Sequence, residues 1–293
     1  MGTGWGCWLM MSTRMGALFD ISTTIATHPL VYIDPAEISV ERIPQSEMVV
    51  MQSASSKATW RPAPGRKNSY AVKHAGSTIG LMFLASPVIN LGVRDSFLNL
   101  PKDGKGYALR RVADMSVCVG LQPLAWHWNI GKLVALLASS KEIADDWAER
   151  YGDTLEWITT TSLYGHGSQY NRAYKFLGYT KGYGHAHISD EEYAAMLAWM
   201  RANGVDVPSS AFGAGSNPRM RRIAAYQRAQ GQTVSLMHGN KRGVYIHKAR
   251  DGSVAEIAGK WFERWGLPRY LRTKDAEPPY SDGKAQTATQ LED

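Results

Sequence analysis

The stretch Ser69–Val88, SYAVKHAGSTIGLMFLASPV, contains two strand-like runs split by Ala75-Gly76. A small residue and a glycine between two β-favouring runs mark a tight hairpin. Working outward, the periodicity predicts a strand at Ile38–Ile43, a helix beginning at Pro44, and a further strand at Met115–Leu121. Helices are predicted from about Asn129 to Ala138 and over Glu142–Tyr151, and a β-rich run at Leu155–Thr161 leads into a glycine-rich loop. Strands and helices mixed in this order give an α/β or α+β fold.

The C-terminal part carries clean helix signals. Ser189 with Glu192 is a capping box closed by Gly204, Asn217-Pro218 opens a second helix closed by Gly231, and Ser253 with Glu256 opens a third ending near Gly266. A short strand is predicted at Gly243–Lys248. The 293 residues include two cysteines, Cys7 and Cys118, which lie far apart and supply neither a disulfide framework nor a zinc spacing. No apolar run approaches the roughly 18 residues of a membrane span, and the N-terminus lacks the layout of a secretory signal. The expected location is therefore the cytoplasm, that of the host if a phage encodes the chain, with no membrane partner.

The net charge of +7 is uneven. Residues 217–274 hold thirteen Lys and Arg against three Asp and Glu, while the rest of the chain holds 20 against 23. A local excess of this kind points to a polyanion such as double-stranded DNA, against the plainer reading of a solvated helix surface. Arg219, Arg221, Arg222, Lys241 and Arg242 are candidate phosphate contacts, and Tyr226, Tyr245, Trp261 and Trp265 would either stack on bases or form a small core.

Chemistry-bearing side chains are densest over Thr159–His187, TTTSLYGHGSQYNRAYKFLGYTKGYGHAH. Tyr164, His166 and Tyr170 are candidate proton-transfer groups, and Arg172, Lys175 and Lys181 add nucleic-acid candidates. His185 and His187 have no supporting carboxylate and read as an ordinary pair, so no metal site is expected. Asn129, Ile130, Gly131 and Lys132 open a helix whose free amides would suit a phosphate-bearing donor. No P-loop and no G-x-S-x-G are present.

The runs LASPVINLGVRDSFLNL (Leu84–Leu100), MSVCVGLQP (Met115–Pro123), DDWAERYG (Asp145–Gly152) and SLYGHGSQYNRAYKFLGYTKGYGH (from Ser162) resemble the DruA-type family found in phages and in Druantia anti-phage systems. That family in turn resembles Mom, a phage protein that converts DNA adenine to a carbamoylmethyl derivative on an acetyltransferase-like (GNAT) fold. The similarity spans about residues 36–188, and HGNKRGVYIHKA (His238–Ala249) with the Trp-rich helix after it is also alike. Tyr170, followed by Arg172 and Ala173, matches a tyrosine of the Mom-type strand-loop-helix motif. The His-His-Tyr of many members is missing, because the corresponding segment reads SASSKATWRP (Ser53–Pro62).

The resemblance implies an α+β fold, a GNAT-like mixed sheet with helices on both faces, plus a small basic, mostly helical C-terminal region. The expected organisation is a poorly ordered segment 1–35, a catalytic core 36–188, a DNA-contacting region 189–274 and a flexible tail 275–293. The activity implied is transfer of a small acyl-like group to an extruded base of duplex DNA. Tyr170 or His166 would take the proton, Tyr164 would position the base, and Asn129–Lys132 would hold an acyl-CoA or related small-molecule donor. Two other expectations stand beside it: a non-catalytic DNA-binding component of a defence or anti-restriction system, and a conventional acyl-CoA-dependent N-acetyltransferase.

Overall fold

The Ala75-Gly76 turn sets the first two central strands in place. Both residues have positive φ (48° and 81°), the left-handed geometry whose twist matches that of paired strands. The computed structural model describes residues 31–55, 65–122, 124–162, 167, 169–183, 190–208, 218–232 and 241–276. The turn joins β2 (Lys67–His74) to β3 (Ser77–Ala85), and β1 (Ile38–Ile43) runs antiparallel to β2 on its outer side. β4 (Val112–Gly120) pairs antiparallel with β3, then β5 (Trp157–Ser162) lies parallel to β4. β7 (Lys241–Lys248) pairs antiparallel with β5, and β6 (Lys175–Tyr183) closes the far edge, giving the order β1-β2-β3-β4-β5-β7-β6.

The side chains of β3 sort cleanly onto two faces. Leu81, Phe83 and Ala85 join Ile43, Ala71, Val117 and Met48, the last from helix α1 (Gln45–Ser55). Met82 and Leu84 face the larger core. In β4 the pairing jumps from Phe83↔Val117 to Leu84↔Met115, so Ser116 is an extra residue. Such a bulge resets the alternation and lets Met115 and Cys118 point to the same side. Two short helices, α2 (Gly92–Phe97) and α3 (Lys105–Ala108), separate β3 from β4, and α4 (Leu124–Trp128) follows β4.

The larger core is made by α5 (Ile130–Leu137), α6 (Lys141–Tyr151) and α9 (Val254–Trp261), which contribute Leu133, Val134, Trp147 and Trp261 beside Trp128. The three indoles are fully buried, and truncating any one would cost about 3–5 kcal/mol. The helices start where the sequence says. Ser140 caps α6, and Ser253 with Glu256 forms a complete capping box on α9. After α9 the chain passes through a π turn (Phe262–Gly266) into α10 (Leu267–Thr273).

The expected α+β class with a mixed sheet holds, with one parallel pair and helices on both faces. Three expectations need correction. The run after Thr161 is not wholly loop, because Lys175–Tyr183 forms the edge strand β6. The boundary at residue 188 cuts through the sheet, since β7 enters between β5 and β6 and α9 packs on α5. Outside the sheet stand α7 (Asp190–Ala202) and α8 (Pro218–Ala229), which pack on each other. The N-terminal segment is held from residue 31 onward: Ile33 is buried, and the carbonyl of Val31 accepts from Trp128 Nε1 at 3.1 Å. Among the described residues no helix is long and apolar enough to cross a membrane.

Gly80 and Gly120 let α5 lie close on the sheet. A Cβ on Gly80 would stand 2.4 Å from Val134 Cγ2, and one on Gly120 would stand 2.8 Å from the Gly131 nitrogen. Gly80→Ala should therefore destabilise the chain by about 1–3 kcal/mol in a urea melt. Val134→Ala should cost less in the Gly80→Ala background than alone, and strict additivity of the two would contradict the assigned contact.

Candidate functional site

β4 and β5 share only three ladder positions, Val112↔Trp157, Ala113↔Ile158 and Asp114↔Thr159, and then part. Side chains take over where the ladder stops. Thr160 Oγ1 donates to the Met115 carbonyl at 2.8 Å, Gln169 Nε2 donates to the Cys118 carbonyl at 2.9 Å, and Thr159 Oγ1 donates to Asp114 Oδ1 at 3.0 Å. Buried carbonyls left without such partners would each cost about 1–3 kcal/mol.

Tyr170 stands at this parting. The turn that presents it is closed by the Tyr170 N–H donating to Gly167 and the Tyr174 N–H donating to Tyr170. Its ring lies 5.3 Å from Tyr245 and 5.9 Å from Tyr174, and its hydroxyl bonds to Thr160 and Cys118. Tyr245 Oη accepts from the Gly167 N–H at 3.0 Å and donates to Asn171 Oδ1 at 3.2 Å, while Tyr174 Oη donates to the Ala135 carbonyl at 2.7 Å. Burial drives the Tyr170 and Tyr174 phenols well above their ordinary range and pushes the Cys118 thiol up to about 12. All three hold their protons at neutral pH.

Asp114 behaves differently. Burial raises its carboxyl to about 6, opposed by the Thr159 hydroxyl and the charge of Arg94. Arg94 is itself fully buried, with Nε and Nη2 on Asp95 Oδ1 at 2.9 and 2.6 Å.

Of the four residues expected to hold a donor, Asn129 turns the chain into α5 with φ 57°, and the Ile130 side chain is fully buried in the core. Gly131 is roofed by Gln169, whose Oε1 lies 3.1 Å from where a Cβ would be. Lys132, 4% exposed, donates to the Asn171 carbonyl at 2.6 Å and sits 5.3 Å from the Trp265 ring. Gln169 and the Asn171 carbonyl thus occupy part of this helix start, while Asn129 and Gly131 stay partly exposed.

Lys132 instead belongs to a cluster of positive charge. Burial first, then Arg172 and Arg264, lower its ammonium to about 8. Arg172, at φ 63°, and Arg264, 4.8 Å from the Trp265 ring, are both exposed, and neither has an acidic partner among the described residues. Lys175 is exposed and lies 4.5 Å from the Phe97 ring, Lys241 is exposed where β7 meets Tyr183, and Arg242 is half-buried beside it. Lys181 falls on β6, with its side chain outside the described atoms.

The α8 arginines do other work. Arg219 stacks on Tyr193 of α7 at 4.3 Å, and Arg222 donates to the Pro208 carbonyl at 2.9 Å and to Tyr193 Oη at 3.4 Å. Arg221 is half-buried beside them. Among the four aromatics of the basic segment, Tyr245 and Trp261 are fully buried, Tyr226 packs on Trp199, and Trp265 is half-buried beside the cations. Tyr164, His166, His185 and His187 lie outside the described residues.

Sequence reasoning missed Asp114, Cys118, Thr160, Gln169 and Arg264. Asp114 left a signal, a lone carboxylate inside the apolar strand VADMSVCV. The folded carboxyl titrates near 6 against an ordinary 3.8, so the native chain holds that proton more tightly than the unfolded one. The contribution of Asp114 to stability is thus greatest below pH 4 and is lost as pH rises to about 6. Asp114→Asn should gain stability relative to the native chain over that window, by about 1–3 kcal/mol at pH 7. A thermal-melt difference that is flat from pH 4 to 7 would contradict this.

Fold and site together define an α+β protein on a seven-stranded mixed sheet, whose central strand parting is filled by its own hydroxyl, amide and thiol groups. The chain belongs to the DruA family, described as Druantia protein DruA, which matches residues 48–251. It is 31% identical over 252 residues to the Druantia protein DruA of Escherichia coli (strain UMEA 4076-1), covering 72% of this chain and 62% of that one. The chain thus spans a little under two thirds of that relative's length. Among solved structures it is similar to a protein assigned to the GNAT acetyltransferase family from Desulfovibrio desulfuricans, at 10% identity and a TM-score of 0.28 over 72% of this chain and 98% of that one. It is also similar to the IAA acetyltransferase from Bacillus cereus, at 11% identity and a TM-score of 0.25 over 72% and 99%. Superpositions that loose carry no mechanistic weight.

Proposed function

We propose that this chain is a non-catalytic component of a Druantia-type defence system that binds double-stranded DNA. The observation that carries the reading is the group of Lys132, Arg172 and Arg264 about Trp265, with no acidic partner for either arginine among the described residues. Like charges held together raise one another's cost, and a phosphate backbone relieves it while releasing its counterions. The exposed Lys175 and Lys241 extend the same kind of contact along the β6–β7 edge.

The base-modifying reading that the likeness to Mom implies asks for a proton acceptor or a nucleophile at the strand parting. Tyr170 and Cys118 both stay protonated there, and Asp114, raised to about 6, is an ionisable acceptor at the parting that is already bonded by Thr159. The expected donor residues are partly covered by Gln169 and the Asn171 carbonyl. These features favour binding over transfer.

In a salt titration with a short duplex, the Arg172→Gln/Arg264→Gln pair should bind about 3–10-fold more weakly near 0.1 M salt, with a log–log salt slope shallower by roughly 2. Tyr170→Phe should bind as the native chain does. Nucleosides digested from plasmid DNA grown with the protein should show no new mass. Unchanged binding by the double arginine variant would sink the DNA reading, and a mass-shifted nucleoside that vanishes with Tyr170→Phe would restore the transferase.

A further inference from the structure

Beside the β1 edge of the sheet, a cavity of about 330 Å³ opens where α1 begins. Its walls bring together three cations from three elements: Arg42 at the end of β1, Lys67 at the start of β2 and Arg150 near the end of α6. Arg42 shares its charge with Asp146 at 2.8 Å. Lys67 and Arg150 have no acidic partner among the described residues, and no carboxylate lines the cavity. Gln45, the first residue of the eleven-residue α1, forms another wall, and the first intrahelical bond runs from the Met48 N–H to the Pro44 carbonyl. The amides of residues 45–47 therefore have no acceptor within the helix.

The second, independent observation is Ser69. It lies on β2 between Ile43 and Phe83, is 4% exposed, lines the cavity and makes no side-chain hydrogen bond among the described residues. Such a hydroxyl is free to donate to an acceptor that enters the cationic cavity. Cations, free helix amides and a hydroxyl directed at one volume are what three phosphoryl oxygens require. The volume falls in the range of small-molecule sites.

We infer that this cavity binds a phosphate monoester of nucleotide size, carried either by a free mononucleotide or by the 5′ end of a nucleic-acid strand. The site is separate from the Arg172–Arg264 cluster and does not rest on the DNA-binding reading.

Calorimetry on the full chain tests it with deoxyadenosine 5′-monophosphate, deoxyadenosine, and 5′-phosphorylated and 5′-hydroxyl oligonucleotides. The nucleotide should bind one to one and the nucleoside at least about tenfold more weakly. Lys67→Gln/Arg150→Gln should reduce nucleotide affinity about tenfold or more, and Ser69→Ala about threefold, each with an unchanged melting temperature. Arg172→Gln/Arg264→Gln should leave nucleotide binding intact. A 5′-phosphate preference among oligonucleotides that is lost in Lys67→Gln/Arg150→Gln identifies a strand end as the source, and its absence alongside nucleotide binding identifies the free nucleotide. The inference fails if nucleoside and nucleotide bind alike, if neither binds at millimolar concentration, or if the folded Lys67→Gln/Arg150→Gln variant keeps native affinity.

Discussion

Past Asp114 and Thr159 the two central strands no longer share a backbone ladder, and their inward backbone groups must find side-chain partners. That single constraint explains the company gathered around the gap. A threonine from β5 and a glutamine from the following turn reach across to β4 carbonyls, and the turn is tied down by Tyr245 and Asn171 so that the glutamine stays in place. The close seating of α5, allowed by two glycines on the strands beneath it, brings the helix start under the same glutamine.

Filling the gap in this way also decides the charge state. The Tyr170 and Tyr174 phenols and the Cys118 thiol, placed among apolar walls, keep their protons and hydrogen-bond within the gap. The charge that cannot be buried collects at the rim, where Arg172 and Arg264 stand in solvent near Lys132, Arg264 beside a half-buried tryptophan. Net charge and surface charge thus part company: of the basic residues counted along the C-terminal segment, Arg219 and Arg222 fasten α8 to α7, and Arg250 pairs with Asp145.

Local features were legible in the sequence. The hairpin at Ala75-Gly76, the cap at Ser253 and Glu256, and the proline opening of α8 are each written in adjacent residues, and each stands where expected. β6 was hidden because glycines at 178 and 182 and lysines at 175 and 181 break its apolar pattern, as suits an edge strand open to water. The insertion of β7 was hidden for a different reason: pairing between residues 157–162 and 243–248 has no local trace. The same holds for the site. Tyr170 was legible as part of a dense run of chemistry-bearing side chains, whereas Asp114 and Cys118, which set its surroundings, arrive from a strand some fifty residues earlier. Which arginines are free and which are committed is a property of contacts, and composition does not carry it.

The position of β7 also constrains how the chain is made. β5 and β6 emerge from the ribosome early but are not neighbours, and the strand that separates them is synthesised more than fifty residues after β6. Until residue 248 is available, β5 has one edge without its final partner, and β6 has no sheet to join. Folding of the distal half must therefore wait for residue 248, and the nascent protein carries an open strand edge while the roughly 80 residues from the end of β5 to the start of β7 are made.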